Sequence, residues 1–172
     1  MNSRYRPPQS LAAHHVLDRF ECASSEQGEW LRRFARQSTS TGTTKVFVVT
    51  GHDSEEVVAY HAWRMAQVRS SDAPHRLRQG GGRTPQPVAL LARLAVHVDH
   101  EGRGLGAGLL QDVFARLSAL SGDIGWPGRL VHAESARARA FYLHMVPELE
   151  TSPTDDLHLV LPMKDVRRTL GS

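Results

Sequence analysis

Residues 101 to 108 read EGRGLGAG and carry four glycines at alternating positions. Glycine lacks a Cβ atom, so this segment can turn sharply and let a ligand approach its backbone closely. Apolar residues at helical spacing follow, which predicts that the glycines open a helix. Backbone N–H groups at a helix start have no acceptor and carry the positive end of the dipole, which favours a phosphate. The segment therefore predicts a phosphate-binding turn; a tight turn without a ligand is the plain alternative.

Two common phosphate-binding motifs do not fit this spacing. No Lys-Ser or Lys-Thr pair follows the glycines, as a Walker A loop requires. The glycines also fail to match the Gly-x-Gly-x-x-Gly pattern of dinucleotide-binding proteins. A different pyrophosphate cofactor is expected.

The elements around the glycines are clear in the second half of the chain. Every even position from 88 to 98 is apolar, which predicts a strand with one buried face. The next helix should end near Gly122, and its apolar positions are Leu110, Val113, Phe114, Leu117 and Leu120. A strand at 129 to 133, a helix at 136 to 145 with Ser135 as N-cap, and a strand at 157 to 161 complete this half.

The first half reads as a strand at 14 to 20, a helix at 28 to 37 and a hairpin. The helix would bury Trp30, Leu31, Phe34 and Ala35. The hairpin joins a strongly β-branched run at 44 to 50 to residues 57 to 68 across a turn at 51 to 54. Residues 70 to 87 hold three prolines and three glycines and predict an irregular loop. Strands alternating with helices indicate an α/β or α+β fold with a mixed central sheet flanked by helices.

Length and composition narrow the class of protein. A chain of 172 residues and 19.1 kDa fits one domain, predicted at 14 to 162, with an N-terminal extension at 1 to 13 and a C-terminal tail at 163 to 172. No apolar run is long enough to cross a membrane, and the first residues do not resemble a secretion signal. The single Cys22 excludes an internal disulfide and a Cys-rich zinc site, and is consistent with a cytoplasmic protein.

Charge is distributed unevenly along the chain. Nineteen of the 21 basic residues are Arg, and the net charge is +3. Residues 1 to 86 carry 12 basic and 8 acidic residues, and residues 87 to 172 carry 9 and 10, so the excess lies in the first half. Arginine presents a planar fork that suits phosphate, so an anionic partner is one interpretation and a solvated basic surface is the other.

The strand before the glycines and the segments after them resemble the GNAT N-acetyltransferases. The glycine segment is similar to the family's acetyl-CoA motif Q/R-x-x-G-x-G/A, and residues 131 to 133 and 140 to 142 are similar to its later strand and tyrosine helix. The resemblance implies the GNAT fold, acetyl-CoA as co-substrate and no metal. It implies Tyr142 as the catalytic residue. The coenzyme-binding residues it implies are Leu94, Ala95, Val96, Glu101, Gly102, Arg103, Gly104, Leu105, Gly106 and Ala107.

Further matches point to the toxin branch of this family, the TacT/AtaT type. Residues 17 to 22, 29 to 36 and 91 to 96 are similar to segments of that branch. The resemblance implies acetylation of the α-amino group of aminoacyl-tRNA, inhibition of translation, a ribbon-helix-helix antitoxin as partner, and operator DNA reached only through that antitoxin. Whether the chain forms a homodimer stays open at this point. The arginines expected to contact RNA are Arg32, Arg33, Arg36, Arg76, Arg78, Arg83 and Arg93.

Two positions depart from the family pattern. Glu101 stands where the motif usually has Gln or Arg, and its charge would repel a pyrophosphate unless the side chain points away. Residues 145 to 147 read MVP where the family commonly has Phe-Gly-Phe, so the end of the tyrosine helix is expected to differ.

The chemistry implied by the resemblance needs a proton donor and a neutral amine. A phenol has an ordinary pKa of about 10, so Tyr142 can give a proton to the departing thiolate. Backbone N–H groups near Val96 would polarise the thioester carbonyl. An α-amine titrates near 7.7 to 8.0 and needs little base, so water suffices, with His97, His132 and Glu134 as weaker alternatives. No His-x-x-x-His pair occurs on a predicted helix, so no metal is implied.

Two other functions remain open from the sequence. One is a GNAT acetyltransferase acting on a small amine, an antibiotic or a protein amino group. The other is a protein that binds coenzyme or RNA without catalysis.

Overall fold

A computed structural model describes residues 4 to 68, 86 to 124, 128 to 133 and 135 to 162. The strands of the described residues are β1 (Gln9–Ser10), β2 (Lys45–Thr50), β3 (Val57–Val68), β4 (Gln86–Val96), β5 (Gly128–His132), β6 (Glu150–Thr151) and β7 (His158–Pro162). Their helices are α1 (Ser25–Arg33), α2 (Ala35–Ser40), α3 (Leu105–Ile124) and α4 (Ala136–Met145). A short 3-10 turn at Val98–His100 links β4 to the glycine segment.

The seven strands described form one sheet in the order β1-β2-β3-β4-β5-β7-β6. The pairs β1–β2, β2–β3, β5–β7 and β6–β7 are antiparallel, and β4–β5 is parallel. A mixed sheet flanked by helices confirms the predicted fold class.

Contacts divide the chain into two compact units. The first contains Met1–Arg64 and Arg93–Val113, and the second contains Met65–Ala92 and Phe114–Ser172. Both β3 and β4 contribute residues to each unit.

The first unit has two apolar clusters that follow the alternation of β4. Ala95 belongs to a cluster with Leu31 of α1 and Ala35 of α2. Leu94 and Val96 pack instead against a cluster that includes Leu105 and Leu109 of α3. Successive strand residues point to opposite faces, so α1 and α2 cover one face of this part of the sheet and α3 covers the other.

The second unit contains the end of β3, the start of β4, the later part of α3, β5, α4, β6 and β7. Val88 and Leu90 of β4 form a cluster with Val160 of β7. Ser135 caps α4, where its Oγ accepts from the amide of Ala138 at 3.2 Å, as the sequence predicts.

Several predicted elements differ from those observed. Residues 14 to 20 contain no strand; Val16 forms an isolated bridge with Glu56, and the first strand lies at Gln9–Ser10. The segment predicted as an N-terminal extension thus contributes a strand. The strand predicted to continue to Val98 ends at Val96, because residues 98 to 100 form a 3-10 turn. Val98 is therefore 43% exposed. The start of β4 is buried on both faces, since Ala89 and Leu91 are as buried as Val88.

The helix predicted at 28 to 37 is two helices. Phe34 separates α1 from α2 and is 48% exposed, so it does not join the buried face. Leu31 and Ala35 are fully buried as predicted. Phe34 has φ and ψ of −117° and −20°, and this departure from regular helix geometry interrupts the periodicity that a single helix would have.

Residues 69 to 85, which hold most of the predicted irregular loop, and the predicted tail at 163 to 172 lie outside the described residues. Over the described part of the chain, no helix is both long enough and apolar enough to span a membrane.

Candidate active site

The glycine segment forms a loop that ends in the first turn of α3. Gly102 and Gly104 have φ angles of 75° and 81°, a region that L side chains rarely adopt. A Cβ atom at either position would meet nothing within 4 Å, so backbone conformation alone calls for glycine there. The amide of Gly108 donates to the carbonyl of Gly104 at 3.0 Å, which closes the first turn. The amides of the three residues between have no helical acceptor, which leaves donors at the loop.

The loop is supported by the packing of the elements on either side. Leu105, the first residue of α3, is 1% exposed and lies in the cluster that Leu94 and Val96 pack against. The strand and the helix start predicted to hold the coenzyme are thus fixed to one another within the first unit. Ala95 points to the opposite face.

A buried tyrosine joins the loop to the N-terminal segment. Tyr5 is 5% exposed, and its Oη lies 2.7 Å from Nδ1 of His100. Nη1 of Arg103 donates to the same Oη at 2.8 Å. The rings of Tyr5 and His100 meet edge to face at 5.7 Å. No sequence signal marks Tyr5, because it stands alone among polar residues far from the loop in the chain.

The protonation of His100 follows from its surroundings. Burial, with the charges of Arg103 and His97, lowers the pKa of His100 below its ordinary 6.5. The ring is therefore neutral at pH 7. An arginine N–H can only donate, so Oη of Tyr5 accepts from Arg103. Nη1 of Arg103 also lies 3.4 Å from Nδ1 of His100, so this nitrogen is an acceptor and receives the proton of the Tyr5 hydroxyl.

Glu101 precedes the loop and is exposed to solvent. It ends the 3-10 turn with φ and ψ of −65° and 156°. An exposed carboxylate stays solvated, which weakens its repulsion of a nearby anion.

Tyr142 lies on α4 in the second unit and is 5% exposed. Its ring stands 5.5 Å from that of Phe141 at an angle of 60°. The backbone amide of Val146 donates to the carbonyl of Tyr142 at 2.8 Å and ends the helix. The MVP sequence therefore still provides a helix end after the tyrosine.

The histidines considered as bases are both engaged in hydrogen bonds. Nδ1 of His97 accepts from the amide of Asp99 at 3.0 Å, and its Nε2 lies 3.1 Å from the carbonyl of Arg19. Nδ1 of His132 lies 2.8 Å from Nε2 of His158. These contacts suit structural roles. Glu134 lies outside the described residues.

The arginines of α1 and α2 bind neighbouring parts of the chain. Arg32 donates to the carbonyl of Phe20, and Arg33 pairs with Glu29 at 3.0 Å. Arg36 donates to the carbonyls of Ala12 and His15 at 3.0 and 2.6 Å. Arg32 and Arg33 belong to α1 and Arg36 belongs to α2.

Arg93 lies on β4 and contacts α1. Its Nη1 donates to both carboxylate oxygens of Glu26 at 2.7 and 2.8 Å, and its guanidinium lies 4.7 Å from the centre of the Trp30 ring. The other predicted RNA contacts, Arg76, Arg78 and Arg83, lie outside the described residues.

A cavity of about 450 Å³ lies beside the end of β4 in the first unit. Its lining includes Phe20, His97 and His100, and four carboxylates from Asp18, Glu21, Glu56 and Asp99. Arg19 also lines it and pairs with Glu56 at 3.4 Å. The cavity is therefore acidic at neutral pH, in contrast to the basic first half of the sequence.

One cluster in the described part of the chain has the residue types of a metal site. His14, His15 and Glu55 bring possible ligand atoms within 4.8 Å of one another. The amide of Ala12 donates to Nδ1 of His15 at 2.9 Å, which places the ring proton on Nε2 and leaves that atom no lone pair for a metal. Arg6, 3.5 Å from Glu55, adds positive charge. The cluster suits ion pairing better than cation binding.

The fold is shared with solved toxin structures. The chain matches the toxin AtaT complexed with acetyl-methionyl-tRNAfMet with a TM-score of 0.85 and 19% identity, over 95% of this chain and 98% of that one. It matches a mutant of AtaT bound to acetyl-CoA and the C-terminus of the antitoxin AtaR with a TM-score of 0.81 and 17% identity, over 98% and 99%. The chain therefore has the fold of these AtaT structures.

The chain is more similar in sequence to a curated relative than to these solved structures. The chain is 38% identical over 169 residues to the tRNA-acetylating toxin of Mycobacterium tuberculosis (strain ATCC 25618 / H37Rv), covering 98% of this chain and 99% of that protein. The chain belongs to the family of tRNA-acetylating toxins. A search of protein-family models found no match.

Proposed function

We propose that this protein transfers the acetyl group of acetyl-CoA to the α-amino group of aminoacyl-tRNA and thereby inhibits translation. The observation that carries the proposal is the 38% identity to a tRNA-acetylating toxin over nearly the whole of both chains. The glycine loop supports it, because two glycines of positive φ precede the start of α3.

The residues of the loop fit a coenzyme that carries a diphosphate. The Cβ positions of Gly102 and Gly104 face open space, so the backbone can be approached there. The amides at the start of α3 and the side chain of Arg103 can donate to phosphate oxygens. Acetyl-CoA supplies the acetyl group as an activated thioester. The residues proposed to hold it are Leu94, Ala95, Val96, Glu101, Gly102, Arg103, Gly104, Leu105, Gly106 and Ala107, of which Glu101 would contribute its backbone.

Tyr142 is proposed as the catalytic acid. Its Oη gives a proton to the thiolate that leaves when the amine takes the acetyl group. An α-amine needs little help to lose its proton near neutral pH, so water serves as the base. The hydrogen bonds of His97 and His132 support this assignment, since both rings already have partners.

An RNA substrate would be held mainly through its phosphates. We propose Arg32, Arg33, Arg36, Arg76, Arg78, Arg83 and Arg93 as the contacts. Arg33 is the most accessible of those in ion pairs, with a side chain 71% exposed. Arg93, 22% exposed, has its charge offset by Glu26, so we expect it to contribute less.

The proposed partner is a ribbon-helix-helix antitoxin, which would also connect the toxin to operator DNA. AtaT bound to the C-terminus of AtaR, and a KacTA–DNA complex, are solved structures of this fold. The protein would act in the cytoplasm, where its substrates are found. We further propose that residues 14 to 162 constitute the acetyltransferase domain, with β1 added from the segment before it.

A second candidate is a GNAT acetyltransferase acting on a small amine, an antibiotic or a protein amino group. The acidic cavity favours it, because four carboxylates against one arginine attract a cationic amine. This substrate would not need the arginines.

The test is to incubate the protein with radiolabelled acetyl-CoA and a complete set of aminoacyl-tRNAs. We expect acetylated α-amines on at least one aminoacyl-tRNA, and no labelling of deacylated tRNA. Parallel reactions with free amino acids and polyamines separate the two candidates. Labelling of free amines alone favours the second, and no labelling of any amine contradicts both.

A further inference from the structure

We propose that Tyr5 is a positioning residue for coenzyme binding, which holds the glycine loop and Arg103 in the geometry that receives the diphosphate. This inference rests on the proposed function, because it concerns the same coenzyme site. It assigns a role to the N-terminal segment, which the sequence analysis predicts as an extension outside the domain.

The N-terminal segment is fastened to the sheet on both sides of Tyr5. Tyr5 bridges to Gly51, and the amide of Arg6 donates to the carbonyl of Thr50 at 2.9 Å. The amide of His52 donates to the carbonyl of Arg4 at 3.3 Å. The backbone of Tyr5 is therefore held in place by hydrogen bonds that do not involve the loop.

The ring of Tyr5 packs on the elements that hold the loop. It lies in one cluster with Leu105 and Leu109 of α3, and Leu94 and Val96 of β4 pack against that cluster. A buried aromatic ring at this place supports the strand and the helix start together. The apolar part of the Tyr5 ring thus stabilises the packing of β4 against α3.

The hydroxyl of Tyr5 connects two residues of the loop region. It accepts from Nη1 of Arg103 at 2.8 Å and donates to Nδ1 of His100 at 2.7 Å. Nη1 of Arg103 is also 3.4 Å from the same His100 nitrogen. One hydroxyl therefore ties together residues on both sides of Glu101 and Gly102, the first of the two positive-φ glycines of the loop.

This contact uses only part of the Arg103 guanidinium. Arginine has five N–H donors in a planar fork, so most remain able to bind an anion. A guanidinium whose orientation is set in advance loses less conformational entropy when it binds a phosphate. The effect of Tyr5 on coenzyme affinity should therefore pass through Arg103.

The experiment measures CoA affinity by titration calorimetry in four proteins: wild type, Tyr5→Phe, Arg103→Met and the double variant. Tyr5→Phe keeps the ring and removes the hydroxyl. We expect the Kd for CoA to rise about fivefold, as for loss of one hydrogen bond. In the Arg103→Met background the same change should have almost no effect. That lack of additivity would not arise if Tyr5 only stabilised the fold.

Tyr60→Phe is the matched control. Tyr60 is also a buried tyrosine of the first unit, and its hydroxyl donates to the carbonyl of Gln27 at 2.7 Å. Its removal should lower the melting temperature without changing the Kd for CoA. If Tyr5→Phe is not recovered folded, His100→Leu removes the acceptor of the same hydroxyl proton and should weaken CoA binding to a similar extent.

The outcomes separate this proposal from the proposed function. Wild-type protein that binds CoA, with an unchanged Kd in Tyr5→Phe, overturns the role of Tyr5 alone. An equal effect of Tyr5→Phe with and without Arg103 also overturns it. Wild-type protein that does not bind CoA overturns the acetyltransferase assignment, and this proposal with it.

Discussion

The guanidinium of Arg93 lies over the ring of Trp30, 4.7 Å from its centre, and connects β4 to α1. Glu26 binds the same guanidinium with both carboxylate oxygens. The Trp30 ring in turn stacks on Tyr60 at an angle of 12°. A residue expected to bind phosphate is therefore part of the packing between a helix and the sheet.

Replacing Arg93 by Met should destabilise the protein by about 1 kcal/mol. The change removes the contact with Trp30, for which about 0.5 to 1 kcal/mol is typical, and a partly exposed ion pair of smaller effect. Urea unfolding followed by circular dichroism measures the loss. Arg33→Met is the control, because Arg33 pairs with Glu29 within α1 and has no ring contact among those described. An equal loss in both variants would contradict a special role for Trp30.

Gly104→Ala should weaken both folding and CoA binding. Its φ of 81° costs an L residue about 1 to 2 kcal/mol, although a Cβ there meets no atom within 4 Å. Gly42 has a φ of 75° and equally open surroundings in the turn after α2, so Gly42→Ala is a matched control. Both variants should melt at lower temperature, and only Gly104→Ala should raise the Kd for CoA. The same CoA affinity in both variants would show that the loop is not part of the coenzyme site.

Tyr142→Phe should abolish most acetyl transfer while leaving CoA binding intact. The change removes the proposed proton donor and keeps the buried ring, and general acid catalysis contributes about 10²- to 10⁴-fold. The rate of acetylation of aminoacyl-tRNA and the Kd for CoA are measured together. We also expect cells that express the variant to grow normally. A variant that transfers acetyl groups at the wild-type rate would exclude Tyr142 as the acid.

The free energy of unfolding should decrease as pH falls below about 6.5. Burial first, and then the charge of His14, lower the pKa of His15 below its ordinary 6.5; Glu55 acts in the opposite direction and Arg36 in the same one. Between the lowered folded value and 6.5 the unfolded chain binds more protons, so acid favours unfolding. The contribution of His15 to the free energy of unfolding is complete above pH 6.5. His100 acts with the same sign.

His15→Asn tests this pH dependence. Asn can still accept from the amide of Ala12, as Nδ1 of His15 does at 2.9 Å, but does not titrate in this range. Urea unfolding at pH 7.5 and 5.5 should show a smaller loss of stability in the variant than in the wild type. Equal losses would mean that His15 does not carry the effect.

Local chemistry explains why the loop and the hairpin could be predicted. Glycines before an apolar helical pattern predict a turn with free amides, and the structure has Gly104 directly before α3. The β-branched run of β2 likewise predicts extended chain, and this strand pairs antiparallel with β3. Ser135 caps α4 because its side chain reaches an amide only three residues away.

Other features depend on contacts between residues distant in the chain. Phe34 matches a helical pattern and is nevertheless exposed, because α1 ends before it. Nothing in the sequence indicates that Arg36 and Arg93 have partners. In the structure Arg36 binds a residue 21 positions away, and Arg93 binds a residue 67 positions away. The acidic cavity also combines three separate segments, none of which is unusual by itself.

The linear order of residues determined the alternating elements, the glycine loop and the membership of an acetyltransferase family, since these depend on short spacings and local backbone preferences. Only the tertiary structure decided which arginines have partners and how the loop is supported. Tyr5 and Arg103 are 98 positions apart and meet at 2.8 Å. Such a contact depends on how the sheet and α3 pack together, which no local pattern encodes.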